Sequence, residues 1–351
     1  MKKGKATNII YIPPQYEVFA SEYPSLNLCR VILQEKGQYR IIGKSGEQPV
    51  QVSGKFRYDV KTISDYPAVG DYVMVDTNAG DTAVIHHVLP RKSVFLRKAA
   101  GAAISEQVVA ANIDTVFLCM SLNNDFNLRR LERYLSAAWD SGATPVIVLT
   151  KSDLCGEFSD MLSAVENIAI GTDVVVASAK EPNGREKLMP YVTKGKTVAF
   201  VGSSGVGKST LINRLLGEKR LETNGLRNDD KGRHTTTHRE MLFLPTGAMV
   251  IDTPGMRELG MWDFGTGIEA AFSDIESIIA ECRFGNCSHT GEPGCAVKAA
   301  LDSGKLTEER WLSYKKLTAE SAYSEDAESY LAAKKKKFKE IAKYNKSNLK
   351  G

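Results

Sequence analysis

Apolar and polar residues alternate in short runs from residue 27 to about residue 88, and turn-forming residues separate the runs. The runs read LCRVILQ, YRIIGKSG, QVSGKFRYD, GDYVMVD and DTAVIHHVL. Alternation with a period of two is typical of half-buried strands, so several such runs at close spacing predict a small all-β barrel. The five-stranded oligonucleotide-binding (OB) type is one candidate. Residues 1–23 have no clear period and contain Pro13 and Pro14, which favours an extended arm.

Longer apolar runs alternate with amphipathic stretches after residue 114. The runs TVFLCMS, PVIVLT, VVVAS and TVAFV are typical of buried strands, while residues 127–142, 158–168 and 186–192 are predicted to be helical. Continuous apolar strands between amphipathic helices indicate a parallel sheet that helices cover on both faces. Such an α/β domain binds a nucleotide at the carboxyl ends of its strands. Residues 90–114 link it to the barrel.

The stretch GSSGVGKS follows the run TVAFV and precedes an amphipathic helix, which is the context in which G-x-x-x-x-G-K-[ST] binds phosphate. The glycines let successive backbone N–H groups point at phosphate oxygens, and the helix N-terminus adds a partial positive charge. We expect Lys208 to contact the β- and γ-phosphates and Ser209 to ligate Mg²⁺. The nucleotide-binding residues predicted here are Gly202, Ser203, Ser204, Gly205, Val206, Gly207, Lys208, Ser209 and Thr210.

The next apolar strand ends in Asp252, within the sequence DTPG. An aspartate at a strand end can hold Mg²⁺ through its hydration shell, and the N–H of Gly255 can donate to a γ-phosphate. Residues 232–240, GRHTTTHRE, lie between the phosphate loop and this strand and are suited to a switch loop that supplies a threonine to the metal. Thr235 and Thr236 are both candidates for that ligand.

Two other predicted strands end in short polar motifs. They are TKSD (Thr150, Lys151, Ser152 and Asp153) and SAK (Ser178, Ala179 and Lys180). The Asp153 carboxylate can accept hydrogen bonds from N1–H and the N2 amino group of guanine. Adenine has neither donor, so a site of this kind rejects ATP because the buried carboxylate would lack a partner. The SAK motif can offer a backbone N–H to the guanine oxygen and pack on the ring. Together the motifs predict a guanine nucleotide.

The composition is that of an ordinary globular protein, with 25% charged and 42% hydrophobic residues among 351. No apolar run is long enough to cross a bilayer, and the N-terminus lacks the apolar core of a cleavable signal. We therefore expect a cytoplasmic protein without a membrane partner. We also expect it to be a monomer. Six cysteines are too few and too clustered for a disulfide scaffold. Cys29, Cys119 and Cys155 are scattered, as packing residues would be, whereas the other three lie close together beside His289.

Positive charge is concentrated near the C-terminus. Residues 334–350 contain eight lysines and one acid, Glu340, in a chain of net charge +4. A lysine-rich end can bind nucleic acid, and it is equally typical of a solvated helix end or a disordered tail. Basic and aromatic residues also interleave in the barrel, which fits a nucleic-acid surface or, as the pattern alone favours, half-buried strands with solvated charges. They are Arg30, Tyr39, Arg40, Lys55, Phe56, Arg57 and Tyr58.

The order of the motifs is rotated relative to most GTPases, because the guanine motifs precede the phosphate loop, the switch loop and DTPG. In this it resembles the circularly permuted GTPases. With the barrel and the C-terminal sequence CRFGNCSHTGEPGCAVKAA, residues 27–320 resemble the RsgA family, the ribosome small-subunit-dependent GTPases. The organisation then expected is an N-terminal arm over 1–23, an OB-type barrel over 24–98, a circularly permuted α/β GTPase domain over 99–265, and a mainly α-helical zinc-binding domain with a basic tail over 266–351.

The resemblance implies one structural zinc ion per chain, held by Cys282, Cys287, His289 and Cys295. Three thiolates and one imidazole complete a closed tetrahedral site of the structural kind.

Two positions bear on nucleotide chemistry. Met256 stands where many GTPases place a water-orienting glutamine, and the resemblance points to His234 as the substitute. Thr150 stands where most GTPases have asparagine. We expect this change to weaken purine affinity while Asp153 keeps the preference for guanine.

The resemblance also implies a function. It implies a GTPase that binds the small ribosomal subunit and its rRNA during late maturation of the subunit. The enzyme would hydrolyse GTP, with magnesium, to GDP and phosphate. Its nucleotide state would control docking and release. One alternative is an RNA-binding assembly placeholder that uses GTP mainly as a conformational switch. Another is a GTPase that acts on a protein partner.

Overall fold

The computed structural model describes residues 10–35, 37–78, 82–98, 106–123, 125–178, 181, 184–221, 239–252 and 267–321. The chain divides into two compact units, Met1–Trp262 and Asp263–Gly351. Within the described residues, no helix has the length and apolar character that a membrane span requires.

A short helix, α1 (Pro14–Ala20), precedes the barrel. Its proline lies at the start of the helix, where a missing N–H costs no hydrogen bond. The ring of Tyr16 stacks on Tyr72 with a centroid distance of 3.8 Å, and its hydroxyl donates to Oδ1 of Asn112 at 2.8 Å. The predicted extended arm is therefore wrong for residues 14–20, because burial of Tyr16 against the barrel stabilises the helical turn.

Five strands form a closed barrel. They are β1 (Asn27–Glu35), β2 (Gln38–Gly43), β3 (Gly46–Val52), β4 (Tyr72–Asp76) and β5 (Ala83–Val88). Their hydrogen-bonded order is β1, β2, β3, β5, β4, and β4 pairs again with β1, which closes the sheet. β3 and β5 are parallel, while the other neighbouring pairs are antiparallel. Inward residues such as Val31, Ile41, Val73 and Ile85 form the core. The prediction of an OB-like barrel is confirmed.

One predicted strand is only partly a strand. In the run QVSGKFRYD, the strand β3 ends at Val52, and the residues that follow form helix α2 (Gly54–Asp59). The cause is local, because the Ser53 side chain caps the helix by accepting a hydrogen bond from the N–H of Phe56 at 2.9 Å.

The link between barrel and α/β domain contains a two-stranded antiparallel sheet. Its strands are β6 (Val94–Lys98) and β7 (Glu106–Ala111). β7 is followed by Asn112, which has a left-handed conformation with φ of 56°.

In the part of the α/β domain that the structure describes, six strands form the sheet. They are β8 (Thr115–Ser121), β9 (Thr144–Thr150), β10 (Asp173–Val176), β11 (Thr197–Val201), β12 (Arg239–Phe243) and β13 (Met249–Asp252). The spatial order is β10, β9, β8, β11, β13, β12. All neighbours are parallel except β12, which is antiparallel to β13. The predicted parallel sheet is confirmed.

Among the described residues, three α-helices accompany this sheet: α3 (Leu128–Asp140), α4 (Ser159–Ile168) and α5 (Lys208–Leu216). Residues 186–191, predicted as a helix, form a 3₁₀ helix that contains Pro190. Arg239 and Glu240, predicted to lie in the polar switch loop, instead begin β12. Both residues pair with β1 of the barrel, and Glu240 also pairs with Asp252 of β13.

The barrel and the α/β sheet share hydrogen bonds. β12 pairs with β1 through Leu33 opposite Glu240 and Gln34 opposite Arg239, which makes one sheet of eleven strands. The Arg239 guanidinium donates to the carbonyl of Val108 at 2.7 Å. The strand that follows the predicted switch loop is thereby attached to the barrel.

Arg30 is buried where the barrel meets the α/β domain and is only 1% exposed. Its guanidinium donates to the carbonyl oxygens of Gly70 and Asn112, at 3.1 and 3.2 Å, and lies over the Tyr72 ring. Tyr39 is also buried. Neither side chain can therefore contribute to a nucleic-acid surface, whereas Arg40, Lys55, Arg57 and Tyr58 are exposed.

The second unit is α-helical, as predicted. Its helices are α6 (Gly267–Ala271), α7 (Ser273–Ala280), α8 (Ala296–Asp302) and α9 over residues 308–321. Arg310 donates to both carboxylate oxygens of Asp274, at 2.8 and 2.7 Å, and lies over the ring of the buried Phe272. Residues 322–351, which include the lysine-rich tail, lie outside the described residues.

Gly70 offers a test of the joint between the barrel and β7. Its φ is +99°, and a Cβ atom there would lie 2.0 Å from the backbone oxygen of Ala111. We expect Gly70→Ala to lower the free energy of unfolding by about 2–4 kcal/mol, because backbone strain and overlap add. Urea unfolding followed by circular dichroism measures this. Gly54→Ala is the control, since nothing lies within 4 Å of its Cβ position. An unchanged midpoint for Gly70→Ala would contradict the geometry.

Candidate functional site

The phosphate loop leaves the buried strand β11 and ends where α5 begins at Lys208. Gly202 has a φ of +151°, and a Cβ atom there would lie 2.5 Å from the Cys119 carbonyl oxygen. Gly205 and Gly207 have φ values of +74° and +108°. The glycines of the motif are therefore needed for close approach at the first position and for left-handed turns at the other two.

Lys208 is enclosed by its own loop. Its ammonium donates to the carbonyl oxygens of Gly202 and Ser203, at 2.5 and 2.6 Å, and the residue is 9% exposed. A buried cation at the start of a helix produces a strong positive potential at one point of the loop. That arrangement is chemically suited to an anionic ligand such as a polyphosphate.

The two predicted guanine motifs meet at the ends of neighbouring parallel strands. After β9, Lys151 has a left-handed conformation with φ of 60°, and a 3₁₀ turn (Ser152–Leu154) follows. The carboxylate of Asp153 is exposed and accepts a hydrogen bond from the hydroxyl of Ser178, which is buried after β10, at 2.5 Å. The hydroxyl fixes one carboxylate oxygen. Ala179 and Lys180 lie outside the described residues.

Thr150 makes a contact that the sequence motif does not reveal. Its buried hydroxyl donates to the carbonyl of Val206 in the phosphate loop at 2.7 Å, and it lies 3.4 Å from the carbonyl of Met120. The end of β9 is thus bonded directly to the phosphate loop. The threonine at position 150 therefore contributes a structural hydrogen bond to the phosphate loop. Noting only that most GTPases have asparagine at this position does not predict that bond.

Asp252 ends β13, which runs parallel to β11. It therefore ends its strand at the edge of the sheet from which the phosphate loop emerges. Other residues predicted for the metal, the γ-phosphate and the water lie outside the described residues. They are His234, Thr235, Thr236 and Gly255.

Asp125 is a site residue that no sequence motif would select. It lies between β8 and α3, and its carboxylate accepts a hydrogen bond from the Ser203 hydroxyl at 2.5 Å. Only the spatial adjacency of β8 and β11 brings the two residues together.

A cluster of metal-ligand side chains lies in the second unit. It consists of Cys282, Cys287, His289 and Cys295, whose ligand atoms all lie within 4.8 Å of one another. Nδ1 of His289 is 3.6 Å from Sγ of Cys282 and 3.7 Å from Sγ of Cys295. Three sulfurs and one nitrogen can contact a single ion from these positions, and this donor set is typical of structural zinc sites. The cluster can therefore hold a metal ion.

The loop that carries this cluster is held by Glu292. Its carboxylate accepts hydrogen bonds from the hydroxyl and the N–H of Ser288 and from the N–H groups of Thr290 and Gly291. The Ser288 hydroxyl is the main reason that the pKa of Glu292 falls to about 2. His289, which lies between Ser288 and Thr290, has a φ of 58°, and its ring makes a T-shaped contact with the Trp311 ring at a centroid distance of 5.5 Å. The histidine is thus positioned by backbone bonds and by an aromatic contact.

Comparisons with known proteins agree with this geometry. The family model of the RsgA GTPase matches residues 88–262. The small ribosomal subunit biogenesis GTPase RsgA 2 of Lactiplantibacillus plantarum is 51% identical over 297 residues, which are 84% of each chain. The small ribosomal subunit biogenesis GTPase RsgA 1 of Oceanobacillus iheyensis is 45% identical over 326 residues, covering 92% of this chain and 93% of its own.

Solved structures show the same architecture. YjeQ from Thermotoga maritima has a TM-score of 0.64 and 27% identity, over 85% of this chain and 99% of its own. YloQ, described as a circularly permuted GTPase, has a TM-score of 0.60 and 24% identity, over 85% of this chain and 96% of its own. The permuted order predicted from the motifs is confirmed. From the extent and identity of these matches, the chain belongs to the RsgA GTPase family.

Proposed function

We propose that this protein hydrolyses GTP to GDP and phosphate on the small ribosomal subunit during late maturation of that subunit, and that its nucleotide state controls docking and release. The observation that carries the proposal is the joining of the phosphate loop to the TKSD motif through the Thr150 hydroxyl. This bond supports the proposal because it connects the predicted phosphate loop to the motif that contains Asp153, the carboxylate proposed to select guanine. The names of the relatives supply the ribosomal part.

Recognition of the nucleotide divides between two groups of residues. We propose that the backbone N–H groups of residues 202–210 and the Lys208 ammonium bind the phosphates. Asp153, one oxygen of which is bonded to the Ser178 hydroxyl, accepts hydrogen bonds from guanine. Lys151 and Ser152 complete the guanine side of the site. Ala179 and Lys180 are proposed to contact the guanine oxygen and ring.

Magnesium is proposed to accompany GTP. Ser209, in the first turn of α5, Asp252, at the end of β13, and either Thr235 or Thr236 would hold the ion, which would offset the charge of the phosphate oxygens. Gly255 is proposed to donate its N–H to the γ-phosphate. His234 is proposed to orient the attacking water, since Met256 has no group that could do so.

The proposed partner is the small subunit through its rRNA. Exposed basic and aromatic residues of the barrel, including Tyr58 at 89% exposure, fit contact with phosphates and bases. The lysine-rich tail would add phosphate contacts. We propose that the protein acts in the cytoplasm as a monomer, and that its domains meet after residues 23, 98 and 265.

A second candidate is an RNA-binding placeholder that uses GTP mainly as a conformational switch. The pairing of β12 with β1 favours it, because a change in the switch region could reach the barrel through backbone hydrogen bonds. Release of the protein from subunits by GTP, but not by a non-hydrolysable analogue, would favour the enzyme.

The central test is GTP turnover with purified ribosomal subunits. We expect small subunits to stimulate turnover and large subunits to have far less effect. His234→Ala should keep GTP binding and lose about a hundredfold of the stimulated rate, because the water is no longer oriented. Lys208→Ala should lose GTP binding itself. Absence of stimulation would remove the ribosomal part, and a normal rate in His234→Ala would show that another group positions the water.

Guanine selection should depend on Asp153. We expect Asp153→Asn to lower GTP affinity about 10- to 100-fold, because its amide presents a donor to the donors of guanine. Relative affinity for xanthosine nucleotides should rise. Equilibrium binding of fluorescent nucleotides measures both. Asp160→Asn, an exposed residue of α4, is the control. Equal binding of ATP and GTP by the unaltered protein would be incompatible with this role.

Zinc is the proposed metal of the Cys3His cluster. Metal analysis should find one zinc per chain, and Cys287→Ala should lose it and unfold the second unit, because closure of the site contributes on the order of 10 kcal/mol. GDP affinity should stay within about threefold, since the phosphate loop belongs to the first unit. Cys155→Ala, whose sulfur lies outside the cluster, should keep its zinc. A zinc-free protein that remains fully folded would refute the proposal.

A further inference from the structure

The loop between β8 and α3 places one carboxylate against the phosphate loop. Asp125 accepts a hydrogen bond from the Ser203 hydroxyl through one oxygen, at 2.5 Å, and pairs with the Arg130 guanidinium through the other, at 2.9 Å. Arg130 also donates to the backbone carbonyl of Asp125. The carboxylate is therefore held at both oxygens.

The position of Asp125 is set by its own loop. Oδ1 of Asn123 accepts from the Ser121 hydroxyl at 2.8 Å and from the N–H of Asp125 at 3.1 Å. Asn127 then caps α3 by accepting from the N–H of Arg130 at 2.9 Å. The turn and the cap together fix Asp125 and Arg130 relative to the end of β8.

Ser203 is held through two different groups. Its carbonyl accepts from the Lys208 ammonium, and its hydroxyl donates to Asp125. A lysine that moves to bind phosphate would give up the first contact. The second contact does not involve Lys208, so it can keep Ser203 in place while the lysine binds its ligand.

The charge of Asp125 is compensated nearby. Burial alone would raise its pKa, but the hydrogen bonds from Ser203 and Arg130 and the charges of Arg130 and Lys151 outweigh burial and lower the pKa. The group is thus an ionised acceptor at neutral pH. Its neighbours reduce the repulsion that a phosphate would otherwise meet.

We propose that Asp125 is a positioning residue for phosphate binding, which holds Ser203 so that the phosphate loop keeps its shape when Lys208 engages the nucleotide. The proposal rests on the proposed nucleotide-binding function. Because the contact lies on the phosphate side, it should act equally on GDP and GTP and leave the preference for guanine unchanged.

The test is a double-mutant cycle on the full chain, read by equilibrium binding of fluorescent GDP and a fluorescent non-hydrolysable GTP analogue. Asp125→Ala and Ser203→Ala should each lower both affinities about tenfold, and the double variant should lose little more, because both changes remove the same bond. Asp125→Asn should recover part of the affinity, since its amide oxygen can still accept from Ser203. Asp160→Asn is the matched control and should bind as the unaltered protein does.

Three results would overturn the proposal: unchanged or increased affinity in Asp125→Ala, additive losses in the double variant, or a loss for only one nucleotide. If Asp125→Ala does not fold, the same double-mutant cycle is measured with Asp125→Asn and Ser203→Ala and tests the proposal instead. Thermal unfolding then reports the stability of each variant separately. Failure of the unaltered protein to bind guanine nucleotides would instead refute the proposed function. The two failures are therefore distinguishable.

Discussion

The parallel pairing of β8, β9, β11 and β13 is the constraint on which the site depends. Parallel strands end at a common edge, so the loops that follow them meet whatever the order in which the chain visits the strands. Circular permutation exchanges the connections at the opposite edge of the sheet, where the parallel strands begin. The edge at which these strands end is left unchanged. The phosphate loop and the guanine motifs can therefore stand in rotated order without loss of their geometry.

The joint between barrel and α/β domain is specified by polar groups. A buried guanidinium is costly unless it is hydrogen-bonded, and Arg30 meets this requirement with acceptors from different segments: Gly70, Asn112 and the sulfur of Met249. Hydrogen bonds are directional, whereas apolar packing permits sliding. The bonds of Arg30 therefore favour one arrangement of the joint, and they include a bond to Met249 of β13, the strand that ends in Asp252.

Periodicity predicts the individual strands of the parallel sheet and of the barrel, because each strand pattern lies within one short stretch of sequence. The metal-ligand cluster follows from the resemblance to the RsgA family. Contacts between distant segments decide the rest. Helix α1 is stabilised because Tyr16 stacks on Tyr72. Strand β12 is stabilised because it pairs with β13 on one edge and with β1 on the other. The hydroxyl of Thr150 and the carboxylate of Asp125 reach the phosphate loop only through strand adjacency. The sequence pattern likewise favours a solvated charge at Arg30, because the distant residues that bury this side chain are not evident from the sequence.

The pairing of β12 with β1 also protects the α/β sheet. Without the barrel, β12 would be the last strand of that sheet, with a row of unpaired N–H and C=O groups along its outer side. Such edges recruit strands from other chains and lead to aggregation. The barrel covers part of this edge, and the opposite end of the sheet is formed by the short β10. A GTPase domain excised from this protein would thus expose the whole outer edge of β12, part of which β1 covers in the intact chain.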